Sequence, residues 1–338
     1  MCKAGAKVAD ICAAGDAMIE AEAAKCFRNK DPKTGLVIEK GIAFPVCCSV
    51  NSVIGHFSPL ADDTTTLAEG DMVKIDLGCH IDGFIATGAT TVVAGENPVR
   101  AVTGVQADLI ACANTCFELA MRLIRPGHKV SEVPPALAKV AEAYGCNLVE
   151  GVMTHQMRQF IIDGQKVVLN RPMPDQRVQD HEFEQNEVYA IDIVVSSGEG
   201  KSRVQDEKQT TVYKRDVAVD YNVKGQAARS VITEVNRRFP TTPFNMRSLE
   251  GKTGQVRLGL AECISHGMLS QYPVLHEKKD ALVAQIKGTV LLMPNGSDRI
   301  TKSPLPEAQS TKAVEDADIK ALLATSVSSK KRRNKKKN

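Results

Sequence analysis

Three apolar runs of this chain each carry one charged residue near the middle: Asp76 in VKIDLG, Asp192 in YAIDIVV and Lys287 in VAQIKGTVLL. A carboxylate in such a setting needs a cation, a metal ion or backbone N–H groups beside it, because an isolated charge is costly to bury. With His155, which follows a Glu150-Gly151 turn, the two aspartates could supply oxygen and imidazole donors to a metal. A pair of ions would need further carboxylates as bridges. Lys287 points elsewhere, since a charged ammonium has no lone pair to give. On the residues alone, a metal site, an ion-pair network and three unconnected positions all remain open.

The elements that would position these groups are legible in outline. Over 69–93, Val73, Ile75 and Leu77 alternate with polar neighbours, and an Asp82-Gly83 turn separates them from a second β-prone run. Residues 43–51, 187–195, 210–213 and 283–293 also read as strands, the last stopped by Pro294-Asn295-Gly296. Helical spacing appears over 8–27, 103–124, 130–144, 224–239 and 255–265. Residues 51–63 and 170–186 read as loops. The helical block between 224 and 265 falls between strands, as an insertion into a larger sheet would.

Composition narrows the class. With 338 residues, 43% apolar and 25% charged, the chain can bury a large core as one α/β domain or two. No apolar stretch is long enough to span a bilayer, and the start lacks a secretory pattern. The ten cysteines have no framework spacing and are expected to be reduced thiols, without a zinc site. The net charge of +3 conceals Lys330, Lys331, Arg332, Arg333, Lys335, Lys336 and Lys337, so the rest of the chain is mildly acidic.

Four segments, EGDMVKIDLGCHIDGF (69–84), AFPVCCSVNSVIGHFSP (43–59), EVYAIDIVVSSGEG (187–200) and TVLLMPNG (289–296), together resemble the type 2 methionine aminopeptidases of peptidase family M24. THQM at 154–157, the SSGEGK run, TTVYKRD at 210–216 and the basic tail bring the resemblance closer to the proliferation-associated, ribosome-binding proteins that keep this fold without the peptidase. The resemblance covers about 7–337. It implies an α/β (α+β) pita-bread (creatinase/aminopeptidase) fold over 1–323, an inserted helical subdomain at 221–277 and a disordered basic tail at 324–338. The chain starts almost inside its first helix, so one packing element of the relatives is expected to be absent.

In the active enzymes of that resemblance, the Asp of the DLG-type motif is the first metal ligand, matched by Asp76. The metal-bridging Asp eleven residues on is matched by Thr87. The ligand His is matched by His155, the next acid by Asp192, and the last bridging Glu by Lys287. His56 matches one substrate-holding His, while Asp163 stands at the other. Both bridging positions are therefore lost, and two close divalent ions need bridging anions to offset their repulsion. The expectation is a pseudoenzyme with no cofactor, its site turned into a salt-bridge cluster.

The resemblance also implies partners: the large ribosomal subunit and ribosomal RNA, other structured RNA and nuclear proteins, with no membrane. It implies a monomer in the cytoplasm and nucleus, including the nucleolus, acting in ribosome biogenesis, rRNA processing and translation regulation. The tail can lie along phosphates and fits a nuclear import signal. Arg237, Arg238, Arg247, Lys252 and Arg257 of the insertion are candidate ribosomal RNA contacts, or else a solvated helix face. With aromatic content of 4%, no base-reading platform is expected. The alternatives are a metal-dependent methionine aminopeptidase and a transcriptional co-regulator acting through Ile319-Lys320-Ala321-Leu322-Leu323.

Overall fold

The computed structural model describes residues 1–30, 32–173, 176 and 178–327. The basic run beginning at Lys330 lies outside the described residues. Helix α1 (Val8–Lys25) precedes strands β1 (Lys40–Val50), β2 (Val53–Gly55), β3 (Met72–Ile81) and β4 (Phe84–Val93), then helices α2 (Gly104–Leu123) and α3 (Val133–Tyr144). Strands β5 (Asn147–Leu148), β6 (Met153–Met157), β7 (Val167–Leu169) and β8 (Val188–Ser196) lead to β9 (Arg203–Val204) and β10 (Val212–Arg215). Then come α4 (Gln226–Arg238), β11 (Phe244–Asn245), α5 (Thr253–Ser265), β12 (Leu269–Tyr272) and β13 (Leu275–His276). The chain returns through β14 (Val283–Met293) and β15 (Gly296–Arg299) to α6 (Ala317–Ala324).

Among the described residues, nine antiparallel strands form the main sheet, with β1-β3-β4-β14-β8-β6-β7 in order and β15 and β5 added beside β14 and β8. The two-residue period of a strand sends alternate side chains to opposite faces. Val73, Ile75 and Leu77 therefore pack with α1 residues Ile11 and Cys12. Ile191, Ile193 and Val195 of β8 join Ile286 and Val290 of β14 under α2 and α3. All three helices lie on this face, which leaves Asp76, Asp192 and Lys287 on the other. Helix α3 starts with Pro134 and Pro135 in its first turn and stops at Gly145, whose φ of 63° suits a residue without Cβ.

The insertion covers the second face. Strand β10 pairs with β11 and β12, while β13 pairs with β2 and β9. The insertion's own core brings Val231 and Val235 of α4 against Leu260 and Cys263 of α5. The helices approach so closely that a Cβ on Gly259 would sit 2.6 Å from the Ala227 carbonyl. Short β2 lies inside the expected 51–63 loop; its partners are far away in sequence, so no local signal reveals it.

A polar joint fixes the insertion to the body. The Asp16 carboxylate accepts from the Val46 N–H at 2.8 Å and from the Arg247 guanidinium, which also donates to Ser58 Oγ at 2.7 Å. Asn245 and Thr211 donate to the Ser58 carbonyl at 2.9 and 2.6 Å. Arg247, one of the candidate RNA contacts, is paired at this joint. Asp16→Ala would leave that guanidinium unpaired and largely buried, and is expected to cost about 3–5 kcal/mol, measured by urea unfolding; Arg237→Ala, on the exposed side of α4, should change stability by less than about 0.5 kcal/mol.

The packed chain also runs past 323. The carbonyls of Thr325 and Val327 accept from Arg122 Nε at 3.0 Å and the Ser297 N–H at 3.1 Å.

Candidate functional site: a salt-bridged cleft

Register alone explains why the three charged residues meet. Asp76 stands opposite Ala89, Ala89 opposite Lys287, and Lys287 opposite Asp192, in one row across β3, β4, β14 and β8. Residues paired across strands share a face, and the small Ala89 leaves the lysine room to lean over it. Lys287 Nζ lies 2.6 Å from Asp76 Oδ2 and 2.9 Å from Asp192 Oδ2, with side chains 10%, 7% and 11% exposed in that order. The Phe44 ring closes over the ammonium, its centroid 5.7 Å away.

The cluster forms the floor of a cleft of about 170 Å³. Sequence reasoning missed Gln285, whose Nε2 donates to Asp192 Oδ1 at 2.9 Å and approaches Asp76 Oδ2 at 3.4 Å. It precedes Lys287 by two residues and so shares its face, the available signal. Lys74, two residues before Asp76, was missed too: fully buried, it donates to the Asn51 carbonyl at 2.6 Å. Burial holds its ammonium well below the usual lysine range.

Electrostatics in the cleft follow from desolvation opposed by pairing. Burial pushes Lys287 down, but Asp192 and Asp76 outweigh it and hold its pKa above the ordinary value. Burial raises Asp76, against the pull of Lys287 and with the push of Asp192. His155 and His56 are both lowered, chiefly by burial. Two polar atoms at the site, Asp76 Oδ1 and His155 Nδ1, have no hydrogen-bond partner among the described residues.

The remaining residues expected at the site all line the cleft, though each is engaged differently. The N–H of Thr87 donates to Thr289 Oγ1 at 2.8 Å, and the two hydroxyls are 3.4 Å apart. His56 Nδ1 is 3.0 Å from the Pro273 carbonyl, and its ring lies edge-on to Tyr272 at 5.5 Å. Asp163 accepts from Lys214 Nζ and Tyr272 Oη, both at 2.6 Å, which ties the cleft rim to β10 and β12. Burial would raise Asp163, but the Lys214 charge and these hydrogen bonds hold it below the usual carboxylate value.

These donors do not fit the pair of divalent ions used by the aminopeptidases. The ammonium lies between the two carboxylates, at the distance of a charge-assisted hydrogen bond from each. Among the described residues, no three or more His, Cys, Asp or Glu side chains are grouped to hold a metal.

A one-sided helical layer, an inward-facing acidic row and an inserted cap define an aminopeptidase-shaped protein with an ion pair in its central cleft. A family model described as metallopeptidase family M24 matches residues 1–214. The chain belongs to that family, as a non-catalytic, aminopeptidase-like member. The ERBB-3 binding protein 1 of Solanum tuberosum is 54% identical over 332 residues, 98% of this chain and 84% of that one. The curved DNA-binding protein of Schizosaccharomyces pombe is 38% identical over 344 residues, spanning all of this chain and 87% of that one. The solved structure of a thermophilic Arx1 superposes with a TM-score of 0.89 at 28% identity, over 97% of this chain and 92% of that one.

Of the expected nucleic-acid residues, Arg237, Arg238, Lys252 and Arg257 are exposed on or beside α4 and α5. Arg238 donates to Glu234 at 2.7 Å and to the Ser248 carbonyl at 2.5 Å. Lys330, Lys331, Arg332, Arg333, Lys335, Lys336 and Lys337 lie outside the described residues. In the co-regulator-like segment, Ile319 is buried, and Leu322 and Leu323 pack on the core beneath α2 and α3. Those apolar side chains face inward.

Proposed function

We propose that this chain is a metallopeptidase fold converted into a scaffold that binds ribosomes and structured RNA, acting in ribosome biogenesis and translation in the cytoplasm, nucleus and nucleolus. The observation that carries this reading is the Lys287 ammonium held between Asp76 and Asp192. On the resemblance, Thr87 and Lys287 replace the two bridging acids, while Asp76, His155 and Asp192 keep ligand-type side chains. A neutral hydroxyl and a cation at those positions cannot hold two divalent ions together. The lysine instead supplies the positive charge that the remaining aspartates need.

RNA and ribosome binding is supported by the sequence resemblance to ribosome-binding proteins, by the basic run at 330–337 and by the exposed cations of the insertion. The Schizosaccharomyces pombe relative's name attributes DNA binding to that protein, which agrees with a nucleic-acid partner here. The co-regulator reading is disfavoured by the inward-packed Ile319, Leu322 and Leu323.

RNA crosslinking and titration compare the intact chain with one ending at Ser329. Losing the tail is expected to weaken RNA binding about tenfold near physiological salt and to flatten its salt dependence, with body contacts remaining. Protein purified without chelator should carry no stoichiometric metal and leave Met-starting peptides intact. Turnover with bound metal would establish the aminopeptidase instead.

A further inference from the structure

Two adjoining hollows of about 370 and 230 Å³ share Lys40, His80, Arg238 and Thr242. They form a groove between the start of β1 and the C-terminal end of α4, away from the salt-bridged cleft. Lys40 Nζ holds the carbonyls of Cys26 and Phe27 beside the groove, and exposed Arg28 and Lys30 follow them in sequence, while exposed Arg237 lines one of the hollows. Arg237 makes no ion pair among the described residues, and the groove's acids are Glu20 and Glu39.

Two aromatic rings lie at the same end of the sheet. Of the chain's nine phenylalanines, only Phe27 and Phe84 are exposed, at 60% and 64%. Lys40 Nζ donates to the Phe27 carbonyl at 3.1 Å, Lys40 pairs with Ile81, and Ile81 pairs with Phe84. Adjacent strands are about 4.8 Å apart, so the Phe84 backbone lies about 10 Å from that of Lys40. The segment carrying Phe27 also exposes Leu36 and Val37, each at 68%. An apolar rim alone would suit a protein partner, but the surrounding cations favour phosphates.

We infer that this groove is a track for single-stranded RNA, with Arg28, Lys30 and Arg237 facing phosphates and Phe27 and Phe84 stacking on unpaired bases. The inference rests on the RNA reading above and gives it a location on the folded body, distinct from the basic tail. Unpaired bases offer their faces to aromatic rings, whereas bases inside a duplex do not. Recognition is therefore tolerant of sequence and selective for unpaired strands.

The test titrates the full chain with a labelled 20-nucleotide single-stranded RNA of mixed sequence and with the matching duplex. Arg28→Glu/Lys30→Glu/Arg237→Glu should weaken single-strand binding at least tenfold and reduce its salt slope by about 2, from three lost phosphate contacts. Phe27→Ala/Phe84→Ala should weaken single-strand binding about tenfold and leave duplex binding unchanged. Thermal melts matching the parent chain establish that these surface variants are folded. If both variants bind like the parent while the chain ending at Ser329 binds nothing, the groove is refuted and the RNA reading survives through the tail. If the parent itself binds neither RNA, the RNA reading falls and takes the groove with it. Equal losses on single strand and duplex in the phenylalanine variant would refute stacking.

Discussion

Lys287→Met is expected to destabilise the protein by about 3–5 kcal/mol at neutral pH, because it leaves two buried carboxylates without their cation. The thioether keeps most of the lysine's bulk, so the loss is electrostatic rather than a cavity effect. Urea unfolding at several pH values separates the two. Lys287 is held above its ordinary value in the fold, so its stabilisation is present below the unfolded lysine value, about 10.4, and is lost only as pH rises through the folded one. Asp76 is already raised by burial even with the lysine present. Without it Asp76 rises further, and the variant regains stability as pH falls through that raised value toward the unfolded one, about 3.9.

A cavity effect would instead give the same loss at every pH. Asp76→Asn/Asp192→Asn added to Lys287→Met should recover most of the loss, because the amides need hydrogen bonds but carry no charge. An unchanged unfolding midpoint in Lys287→Met at pH 7 would show that the ammonium does not compensate the aspartates.

How far the site was legible depends on which physical signal each part leaves. Asp76, Asp192 and Lys287 stood out because a charge inside an apolar strand breaks the expected pattern. Their meeting was invisible without the resemblance, since it depends on pairing β14 with both β4 and β8, whose sequence separations are large. Gln285 and Lys74 left only a two-residue spacing, which polar strand residues commonly share. The pairing of Arg247 left no sequence signal because its partners, Asp16 and Ser58, lie near the other end of the chain. Helices α1 to α5 were plain from periodicity and stop residues, whereas β2, β9 and β13 are two or three residues long and exist only through one another.

Thr87→Asp/Lys287→Glu should convert the cluster into a divalent-metal site. The substitutions place acids beside Asp76, His155 and Asp192, giving five ligand-type residues around the same cleft. Without metal, four clustered carboxylates would repel one another, so the apo variant should be less stable than the parent and improve as pH falls. Adding Mn²⁺ or Co²⁺ should raise its stability by about 2.7 kcal/mol at a hundred times the dissociation constant, whereas the parent, its ammonium in place, should not respond. Metal analysis after gel filtration should find up to two ions per chain in the variant. Binding does not guarantee turnover: Asp163 stands where the resemblance expects a substrate-holding His, and Lys214 and Tyr272 tie it into the cleft rim. The expected result is a metalloprotein with little or no peptidase activity. A variant that ignores both metals would mean that Thr87 and Lys287 are not the positions at which the metal pair was lost.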